Sequence, residues 1–433
     1  MFTLALAVAS CAPTTVQPDP SGRSTAPPSA SPSGPGPTER PALAVAAHVL
    51  RGQNWYLVPD GLLRSSPIAG VLLAFDADPS PTAAFARLRP GDRQTELAYA
   101  TGPNVRAASF DVHGLAPGDY AIEIVERLAQ GDTVVATHDF KLSAPEYVVW
   151  TLDFEGDASS DQALANTAAI ADEQNIPMTI MWNPRVWTTT QVAATRAEAM
   201  LEWTKERVAK GDELSLHIHM WTDFVRAAGV VPRTAPSWAG RGDGYDVPMT
   251  AYPENDQRAL VEYSLRLMSE HGLARPTTFR AGGQFANDAT LRTLAGLGFV
   301  ADASAVPSGV FGRLPYPWTL AADAQPYRPS ASDANKAGDL TLLEAPTIGG
   351  NTYGYAVRTI APIIRADLSY LAPADAFATT PRALTIVSHP GTIDATERAA
   401  ITALFNAFAP LRYDRDAGPV RFVTLAQLAQ AWR

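Results

Sequence analysis

Eight short apolar runs recur in the second part of the chain, at 147–153, 177–182, 213–218, 277–280, 298–302, 341–345, 383–388 and 420–424. Between most of them lie stretches with helical spacing of apolar side chains, at 160–174, 192–210, 254–271, 287–297 and 394–408. Strands joined through helices pair in parallel, and seven or eight such units close into a barrel. This alternation predicts a distorted (β/α)7-8 barrel over residues 146–433. Barrels of this kind carry their active sites at the C-terminal ends of the strands. The polar side chains cluster at those ends: Asp153, Glu155 and Asp157, then His217 and His219, then Arg280, Asp302 and His389.

Before Pro145 the pattern is different. From 42 to 145, short β-branched and aromatic runs such as GVLLAFDA, AASFDV and DTVVATHDFKL alternate with turn residues, and no amphipathic helical stretch interrupts them. Closely spaced turn signals of this kind predict an all-β sandwich. The string GLAPGDYAIEI resembles the late hairpin of fibronectin III or immunoglobulin-like domains. His48, His113 and His138 fall here without metal-ligand spacing, so the sandwich is expected to be dispensable for chemistry.

The N-terminal end reads as an export address. Residues 2–10 form an apolar run far shorter than the roughly 20 residues of a membrane-spanning helix, and it ends at Cys11, the only cysteine of the chain. Val8-Ala9-Ser10-Cys11 resembles a bacterial lipobox, which implies signal cleavage before Cys11 and lipid attachment to its thiol. No Lys or Arg precedes the run, which fits a translation start upstream of Met1. Residues 12–41 are dominated by Pro, Ser, Thr and Gly, a composition that cannot bury enough apolar surface to fold, and they are expected to tether the globular part to a membrane. The expected location is therefore extracytoplasmic, on a lipid anchor. A formal charge of -10 and the absence of basic runs argue against a nucleic-acid partner, because phosphate neutralisation requires a basic face. With one cysteine, neither an internal disulfide nor a thiolate zinc site can form.

The chemistry is concentrated in Glu213–Trp221, ELSLHIHMW, which holds two of the seven histidines. On a strand, residues i and i+2 face the same way, so His217 and His219 present two imidazoles side by side. Two neutral imidazoles need an anionic partner to hold a divalent ion, and catalytic zinc takes three protein ligands and leaves one position for water. Another apolar run, YVVWTLDFEGD, ends in three carboxylates, Asp153, Glu155 and Asp157, which parallel strands ending together would bring near the histidines.

Taken in order, Asp153-Phe154-Glu155, His217-Ile218-His219, Phe279-Arg280-Ala281-Gly282, Asp302-Ala303-Ser304 and Ser388-His389-Pro390-Gly391 resemble the five motifs of polysaccharide deacetylases of the NodB-homology superfamily. The departures are a D-x-E in place of adjacent acids, an H-x-H in place of a wider histidine pair, and Ala281-Gly282 where that family carries proline after the arginine. They suggest a divergent branch. The resemblance implies a barrel of the glycoside hydrolase and deacetylase type and a hydrolase that removes N-acetyl groups from a polysaccharide. It further implies Asp153 as general base, Glu155, His217 and His219 as ligands of a divalent metal, zinc, and His389 as the acid that protonates the leaving amine. Arg280 would then orient Asp153, and Asp302 would support the arginine or the acid histidine.

Long segments at 221–252 and 305–340 follow the motif strands and carry Trp221, Trp238, Tyr245, Tyr316, Trp318 and Tyr327, and GGNTYGY at 349–355 adds Tyr353. Aromatic rings on loops over a barrel mouth stack on sugar rings, so Trp221, Tyr316, Trp318 and Tyr353 are expected to contact substrate. Two other functions fit the same residues: a glycan-binding lipoprotein that has lost activity, and a glycoside hydrolase working with two carboxylates. The first predicts Asp153 out of reach of Arg280, and the second predicts histidines that do not converge.

Overall fold

A computed structural model describes residues 43–63, 67–79, 84–309, 314 and 316–432. The lipobox with Cys11 and the tether at 12–41 lie outside the described residues. Among the described residues, no helix is long and apolar enough to cross a membrane.

The first part of the chain holds two sheets. One runs in the order β1 (Ala47–Gly52), β3 (Ile68–Phe75), β7 (Val105–Asp111), β6 (Ala98–Tyr99). The other runs β2 (Trp55–Leu57), β9 (Gly131–Ser143), β8 (Gly118–Leu128), β4 (Ala84–Arg89), β5 (Arg93–Glu96). Burial alternates along β3, where Ala69, Val71, Leu73 and Phe75 point inward, as the two-residue period of a strand requires. Those side chains meet Ala86, Leu88, Ile122, Ile124, Phe140 and Leu142 of the other sheet in one core.

The second part is built on a parallel sheet in the order β17 (Leu343–Glu344), β14 (Ala301–Asp302), β13 (Thr278–Ala281), β12 (Glu213–Ile218), β11 (Thr179–Trp182), β10 (Glu146–Asp153), β18 (Arg382–Ser388), with β19 (Val420–Phe422) paired to the first half of β10. β17 and β18 are bridged by irregular chain. Gly349 N–H donates to Thr385 O at 2.9 Å, Val387 N–H to Gly350 O at 3.0 Å, and Thr352 N–H to Val387 O at 2.8 Å, so residues 349–352 run beside β18 and complete the wall. A small antiparallel pair, β15 (Pro329–Ser330) and β16 (Asp333–Ala337), lies in the long connection from β14 to β17.

Five helices fall where the apolar spacing places them: α1 (Asp161–Gln174), α2 (Ala194–Ala209), α4 (Glu254–Glu270), α5 (Asp288–Gly296) and α7 (Ala395–Ala407). Their starts have chemical causes. Ser160 accepts from Ala163 N–H, Asn287 and Thr290 form a capping box, and Asp394 accepts from Thr396 and Glu397 N–H, each satisfying amides that have no partner within the helix. Two short helices, α3 (Thr222–Ala227) and α8 (Leu425–Ala431), are too brief to show a clear period in the sequence, and a further helix, α6 (Ile360–Ser369), follows the 349–355 segment.

Ala44–Arg433 form one compact unit, and the two-sheet part meets β10, β19 and α8 of the second part. The carboxylate of Asp60 accepts a hydrogen bond from Tyr147 of β10 and lies 3.8 Å from Arg421 of β19. Leu62 packs on the cluster of Tyr147, Leu425, Leu428 and Ala431. Gly61 passes so close to α8 that a Cβ there would sit 1.6 Å from Gln430 O. Asp416 accepts from the Asn54 and Trp55 amides at 2.9 Å each. A chain starting at Pro145 would therefore lose the packing of Leu62 and the hydrogen bond of Tyr147 to the Asp60 carboxylate, at about 1–3 kcal/mol. It is expected to unfold at a temperature lower by roughly 2–12 °C, since 1 kcal/mol corresponds to about 2–4 °C at this size. An unchanged unfolding temperature by calorimetry would show that this attachment adds nothing.

A second stability effect sits in α6. Asp367 is 2% exposed, and one carboxylate oxygen has no hydrogen-bond partner. Burial pushes its carboxyl up to about 8. The folded state then keeps the proton after the unfolded chain has lost its own near pH ~4, so stability is complete below that value and declines as pH rises to about 8. Asp367→Asn mimics the protonated form. It is expected to match the parent near pH 4 and to exceed it by a few kcal/mol at pH 8 in urea titrations. Equal stability at both pH values would contradict the assignment. Glu146, whose carboxyl burial raises to about 7, gives the parent part of the same slope and should leave a residue of it in the variant.

Candidate functional site

The C-terminal ends of β10, β12, β13 and β18 surround a cavity of about 220 Å³ lined by Asp153, Glu155, His217, His219, Trp238, Tyr245, Gly283, Gln284, Tyr316, Asn351, Val387 and His389. Parallel register brings the motif residues there: Thr151–Asp153 of β10 pair with β11, β11 pairs with β12, and His217 of β12 lies opposite Arg280 of β13. Among the described residues, none from the two-sheet part reaches this cavity.

Arg280 is fully buried, and its guanidinium is held by four hydrogen bonds within the barrel. Nη1 donates to Asp153 Oδ1 at 2.8 Å and to Thr151 Oγ1 at 2.6 Å, Nε donates to Ala303 O at 2.7 Å, and Nη2 donates to Thr347 Oγ1 at 3.0 Å. Four fixed contacts leave the guanidinium one orientation, and Asp153 takes its place from it. Thr151 belongs to the same arrangement, and period-2 spacing from Asp153 marks it in the sequence.

The histidines are fixed by main-chain carbonyls. His217 Nδ1 lies 2.9 Å from Arg280 O, and His219 Nδ1 lies 2.9 Å from Tyr245 O. A carbonyl oxygen only accepts, so each Nδ1 carries the hydrogen, and in the neutral ring each Nε2 offers a lone pair. His217 Nε2 is buried with no hydrogen-bond partner. Glu155 meets both rings, with Oε2 at 2.7 Å from His219 Nε2 and Oε1 at 3.8 Å from His217 Nε2. His389 Nε2 lies 3.3 Å from Glu155 Oε1.

One ligand atom from each of Glu155, His217 and His219 falls within 4.8 Å of the others, and the same holds for Asp153, Glu155 and His389. Glu155 is common to both groups. Asp157 belongs to neither. An inward-facing buried Nε2 without a proton donor, two rings locked by outer hydrogen bonds and an adjacent carboxylate form a donor set that fits a divalent ion such as zinc. Burial alone would raise the Glu155 carboxyl, but the imidazoles of His219, His389 and His217 outweigh it and hold it well below the usual carboxylate range. Burial lowers His217, against the pull of Asp153 and Glu155.

The loop after β10 is held from outside the cavity. Arg185, fully buried, donates to Gly156 O at 2.7 Å, pairs with Asp223 at 2.8 Å and lies 3.6 Å over the ring of Trp221. Trp221 donates its indole N–H to Glu155 O at 2.9 Å and is 4% exposed, so it braces the Glu155 loop and does not reach the cavity. Trp318 is likewise 2% exposed and donates to Gln284 O at 2.9 Å, holding the turn after β13. These two depart from the expected sugar contacts because each indole N–H has found a buried main-chain acceptor. Tyr316 does line the cavity, stacked on Phe285 at 4.4 Å. Tyr353 is 68% exposed at the rim, its ring centroid 6.4 Å from that of His389.

Asp302 also differs from expectation. Ala301 and Ala303 share a cluster with Tyr147, Val149 and Met181, and alternation turns Asp302 to the other face. There it pairs with Glu344 and accepts from Ser304 Oγ at 2.7 Å. It makes no hydrogen bond to Arg280 or His389. Ser304 Oγ in turn accepts from Ala281 N–H at 2.9 Å, so Asp302 acts on the end of β13 through a serine. Burial pushes the Asp302 carboxyl up to about 6 and raises Glu344 further, consistent with one proton held by Glu344 between them.

Two glycines permit the tight turn after β13. A Cβ at Gly282 would lie 2.6 Å from the His219 ring, and one at Gly283, where φ is +59°, would lie 2.7 Å from Trp238.

Fold and site together define a parallel α/β barrel that carries a candidate centre of two histidines and one carboxylate at its strand ends. No protein-family model matches the chain, and no curated protein matches it. Among solved structures it is similar to a Mycobacterium smegmatis protein assigned as a polysaccharide deacetylase, at 15% identity over 66% of this chain and 89% of that one, with a TM-score of 0.42. It is also similar to a family 4 carbohydrate esterase from Streptomyces lividans in complex with acetate, at 13% identity over 61% and 88%, with a TM-score of 0.32. A third is the peptidoglycan deacetylase PdaC from Bacillus subtilis, at 12% identity over 66% and 91%, with a TM-score of 0.33. At such low identity the chemistry rests on the geometry of the site itself.

Proposed function

We propose that the chain is a metal-dependent hydrolase that removes N-acetyl groups from a cell-envelope or extracellular polysaccharide, with zinc as the metal. The observation that carries this reading is the convergence of Glu155, His217 and His219, with both Nδ1 atoms committed to main-chain carbonyls, beside an Asp153 fixed by Arg280. Glu155 and the two Nε2 atoms would hold the ion. When bound, such an ion lowers the pKa of water to about 7 and polarises a carbonyl oxygen.

The protein's own groups supply the rest. Asp153, with Oδ1 engaged by Arg280, keeps its second oxygen for the proton of the attacking water. The water oxygen bonds to the acetyl carbon, and the carbon–nitrogen bond then breaks. His389 is the group at the cavity that can give the departing nitrogen its proton, so that acetate and a free amine are released. A cavity of about 220 Å³ is smaller than the ~300–1,000 Å³ of sites for larger ligands. It suits an acetamido group and part of one sugar ring, with Tyr316 and Tyr353 at its edge. Asp302 is a positioning residue here, acting through Ser304. A two-carboxylate glycosidase needs no converging histidines, and the contacts of Glu155 with three imidazoles favour the hydrolytic metal centre.

The same reading takes the chain to be exported and anchored through Cys11, with 12–41 as tether and the two-sheet part as an accessory sandwich of fibronectin III or immunoglobulin-like type. The test is acetate release from N-acetylated and O-acetylated glycans. Release from an N-acetylated glycan, lost on chelation and restored by zinc, is expected. Release that survives chelation, or none from any N-acetylated glycan, would exclude this function.

A further inference from the structure

We propose that Tyr245 is a positioning residue of the candidate metal centre, gripping two of its three ligands at once; this rests on the metal-centre reading given above. Its hydroxyl donates to Glu155 Oε2 at 2.8 Å, and its carbonyl oxygen accepts from His219 Nδ1 at 2.9 Å. Its ring lies parallel to that of His219, with centroids 4.2 Å apart and planes 6° from parallel. Three different parts of one residue therefore fix where Glu155 and His219 stand relative to each other.

The ring is not free to serve as a platform for sugar. One face is covered by His219, and the guanidinium of Arg241 sits 4.3 Å from its centroid. The hydroxyl is likewise committed, because a tyrosine donates a single hydrogen and Glu155 takes it. Tyr245 lines the cavity, and its hydroxyl, its carbonyl oxygen and one face of its ring are turned to the ligand set.

The segment that presents Tyr245 is braced for that purpose. Asp246 accepts from Ser237 Oγ, from Ala239 N–H at 2.8 Å and from Arg241 N–H at 3.1 Å. Trp238 N–H closes the loop on Asp246 O at 3.2 Å. Asp243 Oδ1 accepts from Tyr245 N–H at 3.1 Å, and Asp243 O accepts from Thr222 N–H at 2.8 Å. Gly244, with φ at +82°, packs where a Cβ would lie 2.5 Å from Met220 O. The loop is thereby tied to the chain just after His219, the ligand it supports.

Outer groups that orient ligands typically change metal affinity 10–100-fold when removed. Tyr245→Phe deletes the hydroxyl and keeps the ring and the main-chain carbonyl. In the full chain, titrated with zinc against a chromophoric chelator, it is expected to bind zinc 10–100-fold more weakly than the parent. The metal-free variant should remain folded, with an unfolding temperature lowered only by the loss of this one hydrogen bond, and the cobalt-loaded variant should show an altered visible spectrum. Equal zinc affinity in parent and variant would overturn the proposal, as would a raised KM with zinc affinity unchanged, which would make the hydroxyl a substrate contact. Zinc binding by neither protein would remove the metal-centre reading itself.

Discussion

Replacing His217 or His219 with alanine is expected to empty the metal site and end acetate release together. Each supplies one of three protein donors, and each Nδ1 is already committed, to Arg280 O and Tyr245 O respectively, so neither ring can turn to compensate for the other. Among the described residues, the remaining histidine at the cavity is His389, whose Nε2 faces Glu155 from the β18 side. Metal analysis and activity measured on the same preparations check this. Loss of activity with full metal content would mean that the histidines contact substrate instead.

Asp153→Asn is expected to separate the two properties. The amide oxygen still accepts from Arg280, so the geometry persists, but it cannot take a proton from water. Turnover should fall by about 10²–10⁴-fold, the scale of general acid–base catalysis, with zinc retained. The variant also leaves the buried Arg280 without its counter-charge, and a buried pair broken on one side costs about 3–5 kcal/mol, so its unfolding temperature should fall as well. If Asp153→Asn loses the metal while Glu155→Gln keeps it, the roles of the two carboxylates are exchanged.

The long, strongly patterned elements were legible in the sequence. The run at 213–218 is β12 to the residue, and the helical spacing at 160–174 and 254–271 differs from α1 and α4 by one residue at an end. The grouping of Asp153, Glu155, His217, His219, Arg280 and His389 also follows from strand ends and period-2 alternation. What was not legible depended on tertiary partners. The runs at 298–302 and 341–345 give only two-residue strands, and the wall is completed by 349–352, a segment without a β-branched run. Asp302 lies on the face opposite to that expected because Ala301 and Ala303 take the inner one, a parity that two-residue strands scarcely show. Trp221 and Trp318 looked like sugar platforms, but an indole beside a buried carbonyl serves as a brace. Tyr245 could be noted as a loop aromatic, but only the fold reveals that its hydroxyl meets Glu155, 90 residues earlier.

The most direct measurement is anomalous diffraction at the zinc edge from crystals of the full chain grown with zinc. The account predicts one strong peak per chain, about 2.0–2.2 Å from His217 Nε2, His219 Nε2 and a carboxylate oxygen of Glu155. A peak held by Asp153 and His389 without the histidine pair, or no peak in this cavity, would contradict it.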